Sequence, residues 1–166
     1  MSATTKVTTP SDREVVITRT FDAPRHLVFD AISRPEFLQR WLLGPPGWEM
    51  TVCENDLQVG GKFRHEWRGP GDAQMAMFGE YREVARPERI VRTECFDMGC
   101  AGQAGEQLGT LILLEEGGKT TMTLTLLYPS KEARDATIAS GMEQGIAAGH
   151  ARLEELLTEM TSKRAG

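Results

Sequence analysis

The residues best equipped for chemistry in this chain stand in one alternating run, Lys62-Phe63-Arg64-His65-Glu66-Trp67-Arg68. As a strand it turns Phe63, His65 and Trp67 to one side and the four charged residues to the other, because strand side chains alternate. An imidazole on the apolar side needs a hydrogen-bond partner, and Tyr81 on the following strand is the candidate. The same imidazole could serve as a general base, or pack as a satisfied core histidine. No nucleophile, base and orienting group stand at a fixed spacing, so no catalytic residue is assigned. His26 and His150 lie outside any cluster, and no partner pair follows the Cys95–Cys100 interval, so neither metal nor cofactor is expected.

Around His65 the pattern supplies an apolar lining. Val91, Thr93 and Cys95 are read as the inner face of their strand, with Arg92 and Glu94 outside. Met122, Leu124, Leu126 and Tyr128 oppose Thr121, Thr123 and Thr125 in the same way. With a C-terminal helix laid across these faces, the candidate lining is His65, Trp67, Met75, Met77, Tyr81, Thr93, Cys95, Met122, Met142, Gly145 and Ile146. Such a set suits a hydrophobic or amphipathic small molecule, with His65, Tyr81 and Thr93 as polar anchors and adaptable methionines around it. The alternative is that these side chains only pack a core. Gly141, Gly145 and Gly149 recur along one flank of the helix and either admit a strand backbone or widen the lumen. The Gly-rich segment 98–107 reads as a lid, and Cys95 and Cys100 as structural or incidental.

The elements that must position these residues follow from punctuation and period. A Thr- and Ser-rich arm over 1–12 precedes a strand over 14–21. Asp22-Ala23-Pro24 starts a helix, and Pro35 opens a second short one ending near Trp41, before Gly44-Pro45-Pro46-Gly47. Strands are then expected over 49–54, 61–68, 74–85, 89–97, 108–116 and 119–128. Their connections are too short for parallel crossovers, so the sheet must be antiparallel. Ser130 caps one long helix from Lys131 to about Met160, striped by Ile138, Met142, Ile146, Gly149, Leu153, Leu156, Leu157 and Met160. The expected fold is α+β: a curved, seven-stranded antiparallel sheet gripping a long C-terminal helix, with two short helices after the first strand. One domain is expected over 13–160, followed by a tail over 161–166.

Composition narrows the function further. The 166 residues carry 19 Lys+Arg against 24 Asp+Glu, a net charge of −5, with no basic patch for a phosphate backbone. No leader pattern and no membrane-length apolar run is found, so a cytoplasmic protein with reduced thiols is expected. Nucleic acid and a membrane span are excluded as partners, and either a monomer or a homodimer through an exposed edge strand is compatible.

The sequence also resembles a known family. The carrying residues begin with Ile17-Thr18-Arg19-Thr20-Phe21-Asp22-Ala23-Pro24, Leu27-Val28-Phe29-Asp30-Ala31, Pro35-Glu36 and Gln39-Arg40-Trp41. They continue through Gly60-Gly61-Lys62-Phe63, Gly79-Glu80-Tyr81-Arg82-Glu83-Val84 and Pro87-Glu88-Arg89-Ile90-Val91 to Gly141-Met142-Glu143-Gln144-Gly145 and Arg152-Leu153-Glu154-Glu155-Leu156-Leu157. Over residues 14–157 this resembles the START-like (SRPBCC) superfamily, and within it bacterial homologues of the activator of the heat-shock protein 90 ATPase. The resemblance implies the helix-grip fold and a stress-response setting. Three functions are then in play. The first is small-molecule binding between sheet and helix; the second is a chaperone-ATPase-activator-like interaction domain. The third is a hydrolase- or cyclase-type enzyme using the same cavity. Fold does not choose among them.

Overall fold

Why the strands form is plainest in β2 (Glu14–Phe21), where Val15, Ile17, Arg19 and Phe21 are buried and the intervening residues are half-buried. The chain is a computed structural model that describes residues 4–43, 46–97 and 106–165. After β2 come α1 (Arg25–Ser33) and α2 (Pro35–Trp41), and then a meander. It runs through β3 (Glu49–Asn55), β4 (Lys62–Arg68), β5 (Gln74–Ala85), β6 (Arg89–Asp97), β7 (Gln107–Glu116) and β8 (Lys119–Leu127). Two helices close the chain, α3 (Lys131–Ala139) and α4 (Met142–Ala165). A further strand, β1 (Lys6–Thr8), precedes them all. The sheet order is β1-β2-β8-β7-β6-β5-β4-β3, every pair antiparallel. The chain thus leaves β2, crosses through the paired short helices to the far edge, and returns strand by strand to β2.

The helix pair is set by local chemistry. Pro35 disfavours helical geometry at the residue before it, and Arg34 is extended at φ −86 and ψ 130, ending α1 and opening α2. Trp41 then clamps the two helices by donating from Nε1 to the Ala31 carbonyl at 2.8 Å.

Two expectations need correction. Among the described residues the sheet has eight strands rather than seven, because Lys6–Thr8, within the segment read as an arm, pairs with Val16–Thr18. Thr5 fastens that strand to the body, accepting from Arg19 at 3.1 Å and meeting His150 Nδ1 at 2.9 Å. Such long-range pairing leaves no trace in a three-residue pattern. The single C-terminal helix is likewise two helices, broken at Ser140-Gly141, where Gly141 has φ +87. Left-handed backbone at a helix end is the position glycine fills most cheaply. The break carries Ile138 out of the buried stripe, and it is 39% exposed.

The glycine row therefore has no common role. A Cβ on Gly149 would stand 3.8 Å from the Trp41 ring, so that glycine sits where α4 packs on α2. Gly145 is exposed, with nothing within 4 Å of a built Cβ, so it does not widen a lumen. Gly145→Ala is expected to raise unfolding stability by about 0.5–1 kcal/mol. Gly141→Ala is expected to lower it by about 1 kcal/mol, since alanine resists positive φ. Urea titration of the two variants checks the contrast.

The core lies between α4, the α1–α2 pair and the concave sheet face. Leu153, Leu156 and Leu157 of α4 join Phe21, Leu27, Val28, Phe29, Phe63, Tyr81 and Leu113 in one cluster. A smaller cluster holds Val15, Ile17, Leu126, Tyr128 and Ala133, with Val7, Leu124, Met142 and Ile146 against it.

Candidate ligand-binding site

Directly paired residues of an antiparallel sheet point to the same face, so register maps the concave wall row by row. In one row Cys53 pairs with His65, His65 with Met77 and Met77 with Phe96. Beside it lie Met50, Trp67 and Met75 on one flank, and Asn55, Phe63 and Gly79 on the other. His65 is only 1% exposed, tilted against Phe63 at 5.3 Å and edge-on to Trp67 at 5.9 Å between ring centroids. Trp67 satisfies its indole by donating to the Leu42 carbonyl at 2.8 Å. Among the described residues neither ring nitrogen of His65 has a hydrogen-bond partner. Burial, reinforced by the Arg92 charge, pushes the imidazole down to about 3, so it stands neutral with one donor and one acceptor unspent.

The next row is polar. Tyr81 pairs with Arg92, Arg92 with Gly109, and Gly109 with Leu126. The Arg92 guanidinium lies 4.0 Å from the centre of the Phe63 ring, a cation–π contact. Its Nε meets Glu94 Oε2 at 2.9 Å, and Gln107 Nε2 donates to Glu94 Oε1 at 2.9 Å. Gly109 makes room for that carboxylate, since a Cβ there would stand 3.0 Å from Glu94 Oε2. Tyr81 donates its hydroxyl to Asn55 Oδ1, and Asn55 donates onward to the Ser33 carbonyl, tying the wall to α1. Burial raises the Tyr81 hydroxyl against the opposing pull of Arg92, which keeps the phenol un-ionised at neutral pH.

The expected lining is thus brought together only in part. His65, Trp67, Met77, Tyr81 and Met122 are buried on the concave face, with Met75 half-buried beside them. Met142 and Ile146 pack instead on the smaller cluster against β2 and β8. Thr93 and Cys95 point to the opposite face, since Thr93 pairs with Leu108 and Cys95 with Phe78. Thr93 Oγ1 is occupied there, accepting from the Glu80 amide at 3.0 Å. Nor does Tyr81 serve His65, because the register places Phe63 between them and the phenol turns to Asn55. Cys100 and most of the 98–107 segment lie outside the described residues.

What sequence reasoning missed is the polar wall itself: Asn55, Arg92, Glu94 and Gln107. One signal was present. Ile90 and Phe96 share parity with Arg92 and Glu94, so that face begins and ends apolar with an opposite-charge pair between.

The wall is not sealed. Phe96, Leu111 and Leu124 on the concave face are half-buried, and the Arg92 side chain keeps 22% of its surface accessible. Two concavities lie elsewhere. One, of about 360 Å³, is lined by Leu27, Asp30, Arg34, Phe37, Arg40, Glu159, Met160 and Lys163. Another, of about 230 Å³, sits at the strand ends beside Arg13, Thr93, Glu106, Gln107, Leu108, Leu127, Tyr128 and Pro129. Among the described residues no group of three His, Cys, Asp or Glu could hold a metal ion, and no helix is long and apolar enough to cross a membrane.

An antiparallel sheet curved over a long C-terminal helix, with a helix pair bridging its edges, is consistent with the helix-grip class. Comparison with known proteins makes this specific. A profile of the family described as Activator of Hsp90 ATPase homolog 1-like protein matches residues 22–158, and the chain belongs to that family. A solved protein from Rhodobacter sphaeroides is 29% identical, with TM-score 0.87, covering 94% of this chain and 99% of its own. Protein Ms6760 from Mycobacterium smegmatis is 25% identical, with TM-score 0.81 over 93% of this chain and 96% of its own. The AHSA1 protein of Silicibacter pomeroyi, at 17% identity and TM-score 0.71, covers 89% of this chain and 99% of its own and shares the fold. No curated protein matches the chain. At family level this supports either ligand binding or a chaperone-activator-like interaction.

Proposed function

We propose that this protein binds a small apolar or amphipathic molecule on the concave face of the sheet, over the row Cys53–His65–Met77–Phe96. The observation that carries this reading is His65, buried to 1% exposure with both ring nitrogens unpartnered among the described residues. A buried polar group without a partner costs about 1–3 kcal/mol, and a ligand that supplies the partner recovers it. Surrounding thioethers can yield to an occupant, since Met50, Met75 and Met77 pair with the aromatic row and methionine repacks readily. Binding is favoured over catalysis because an imidazole held near 3 is a weak proton acceptor at neutral pH.

Titration with the neutral fluorescent dye N-phenyl-1-naphthylamine tests the proposal. Saturable one-to-one binding is expected, lost in Cys53→Trp, which adds bulk at the half-buried residue paired with His65 in that row. Non-saturable fluorescence, or binding that the folded Cys53→Trp variant retains in full, would overturn it.

A further inference from the structure

We infer that the molecule held on this face carries an electrically neutral hydrogen-bonding head, a hydroxyl or its equivalent, and that a carboxylate, phosphate or ammonium head is rejected. The inference rests on the concave-face binding proposed above and adds the chemical class of the ligand.

The argument is a charge and hydrogen-bond count around one wall. Arg92 is the cation of that wall, and its charge is met by Glu94 at 2.9 Å. The second carboxylate oxygen of Glu94 is taken by Gln107, and Gly109 leaves the carboxylate its seat. The Tyr81 hydroxyl is spent on Asn55, whose amide is spent on the Ser33 carbonyl. Among the described residues, what remains unpaired here is His65, at Nδ1 and at Nε2, together with the buried Tyr128 hydroxyl near Glu94 and Gln107, a second neutral polar group.

A neutral imidazole offers one N–H and one lone pair. A hydroxyl can accept from the first or donate to the second without bringing charge. An anionic head would enter with Arg92 already neutralised and Glu94 close by, and an ammonium would face Arg92. Either would be a buried charge without a counter-charge, far costlier to desolvate than a hydroxyl. The wall is polar and its charges cancel, and that combination selects a neutral polar group.

Three probes with one tail separate the cases: 1-decanol, decanoate and decylammonium, each displacing N-phenyl-1-naphthylamine from the full chain at pH 7. Decanol is expected to displace the dye at a concentration at least tenfold below either ion. In Glu94→Gln, which leaves Arg92 uncompensated, decanoate should gain at least tenfold relative to decanol. In His65→Leu, decanol should weaken about tenfold while the dye still binds. A wild-type ranking in which decanoate or decylammonium equals or beats decanol overturns the inference and leaves the binding site standing. That ranking decides the matter even where a variant fails to fold. Absence of saturable dye binding overturns both readings together.

Discussion

Stability is expected to fall steeply as the pH drops below about 6.5, where histidines of an unfolded chain begin to protonate. Two imidazoles resist that protonation in the folded protein. Burial and Arg92 hold His65 down at about 3, and burial and Arg19 hold His150 at about 4. Both folded values lie below the unfolded one, so the unfolded chain binds more protons across the interval. The contribution is fully present above about pH 6.5 and is lost as the pH falls towards the folded values. Each histidine supplies a slope of up to about 1.4 kcal/mol per pH unit, so the pair gives about 2.7 between pH 6.5 and 4. His65 alone continues the loss towards pH 3. Carboxylates act lower: Glu159, held down by Arg40 and Lys163, adds its loss below its ordinary value of 4.5. Urea midpoints at half-unit steps from pH 7.5 to 5 measure the slope. His65→Leu should roughly halve it and, by removing an unpartnered buried group, raise stability at pH 7 by about 1–2 kcal/mol. An unchanged slope in that variant would show that His65 does not stand neutral and buried.

Removing Glu94 is expected to be among the most damaging single changes in the molecule. Its carboxylate is 6% accessible and paired to an Arg92 side chain of which 22% is accessible. Glu94→Ala leaves that guanidinium without a counter-charge and strips Gln107 of its acceptor. Breaking one side of a largely buried pair costs about 3 kcal/mol, at the low end for such pairs because Arg92 is not wholly desolvated. The double variant Arg92→Met with Glu94→Leu removes both charges and should regain most of the loss, since apolar replacement of a buried pair is often close to neutral. The four proteins form a double-mutant cycle, read by urea unfolding, with an expected coupling of at least about 1.5 kcal/mol. Single-variant losses below about 0.5 kcal/mol, or additive losses, would mean that the pair is solvated and that the wall is not the charge-balanced surface described above.

Much of this architecture was legible before any fold was known, and for local reasons. Proline and glycine placed the ends of α1 and α2, Ser130 capped α3, and strict alternation in Lys62–Arg68 named the buried side of β4. These signals act within a few residues, through backbone sterics or through the two-residue period of a strand. The three-residue β1 was not legible, because its pairing with β2 and the tie from Thr5 to His150 span distant parts of the chain. The inner face of β6 was misread for a related reason. Charged Arg92 and Glu94 look like the solvent side until cross-strand neighbours are known, and only register with Tyr81 and Gly109 turns them inward. Opposite charges on one face can be buried when they neutralise each other, and whether they meet is decided by rotamer and neighbouring strand. Likewise His65 could be recognised as inward from alternation alone. That it has no partner there followed from the tertiary structure, which sends the Tyr81 hydroxyl to Asn55 on an edge strand whose position no local pattern specifies.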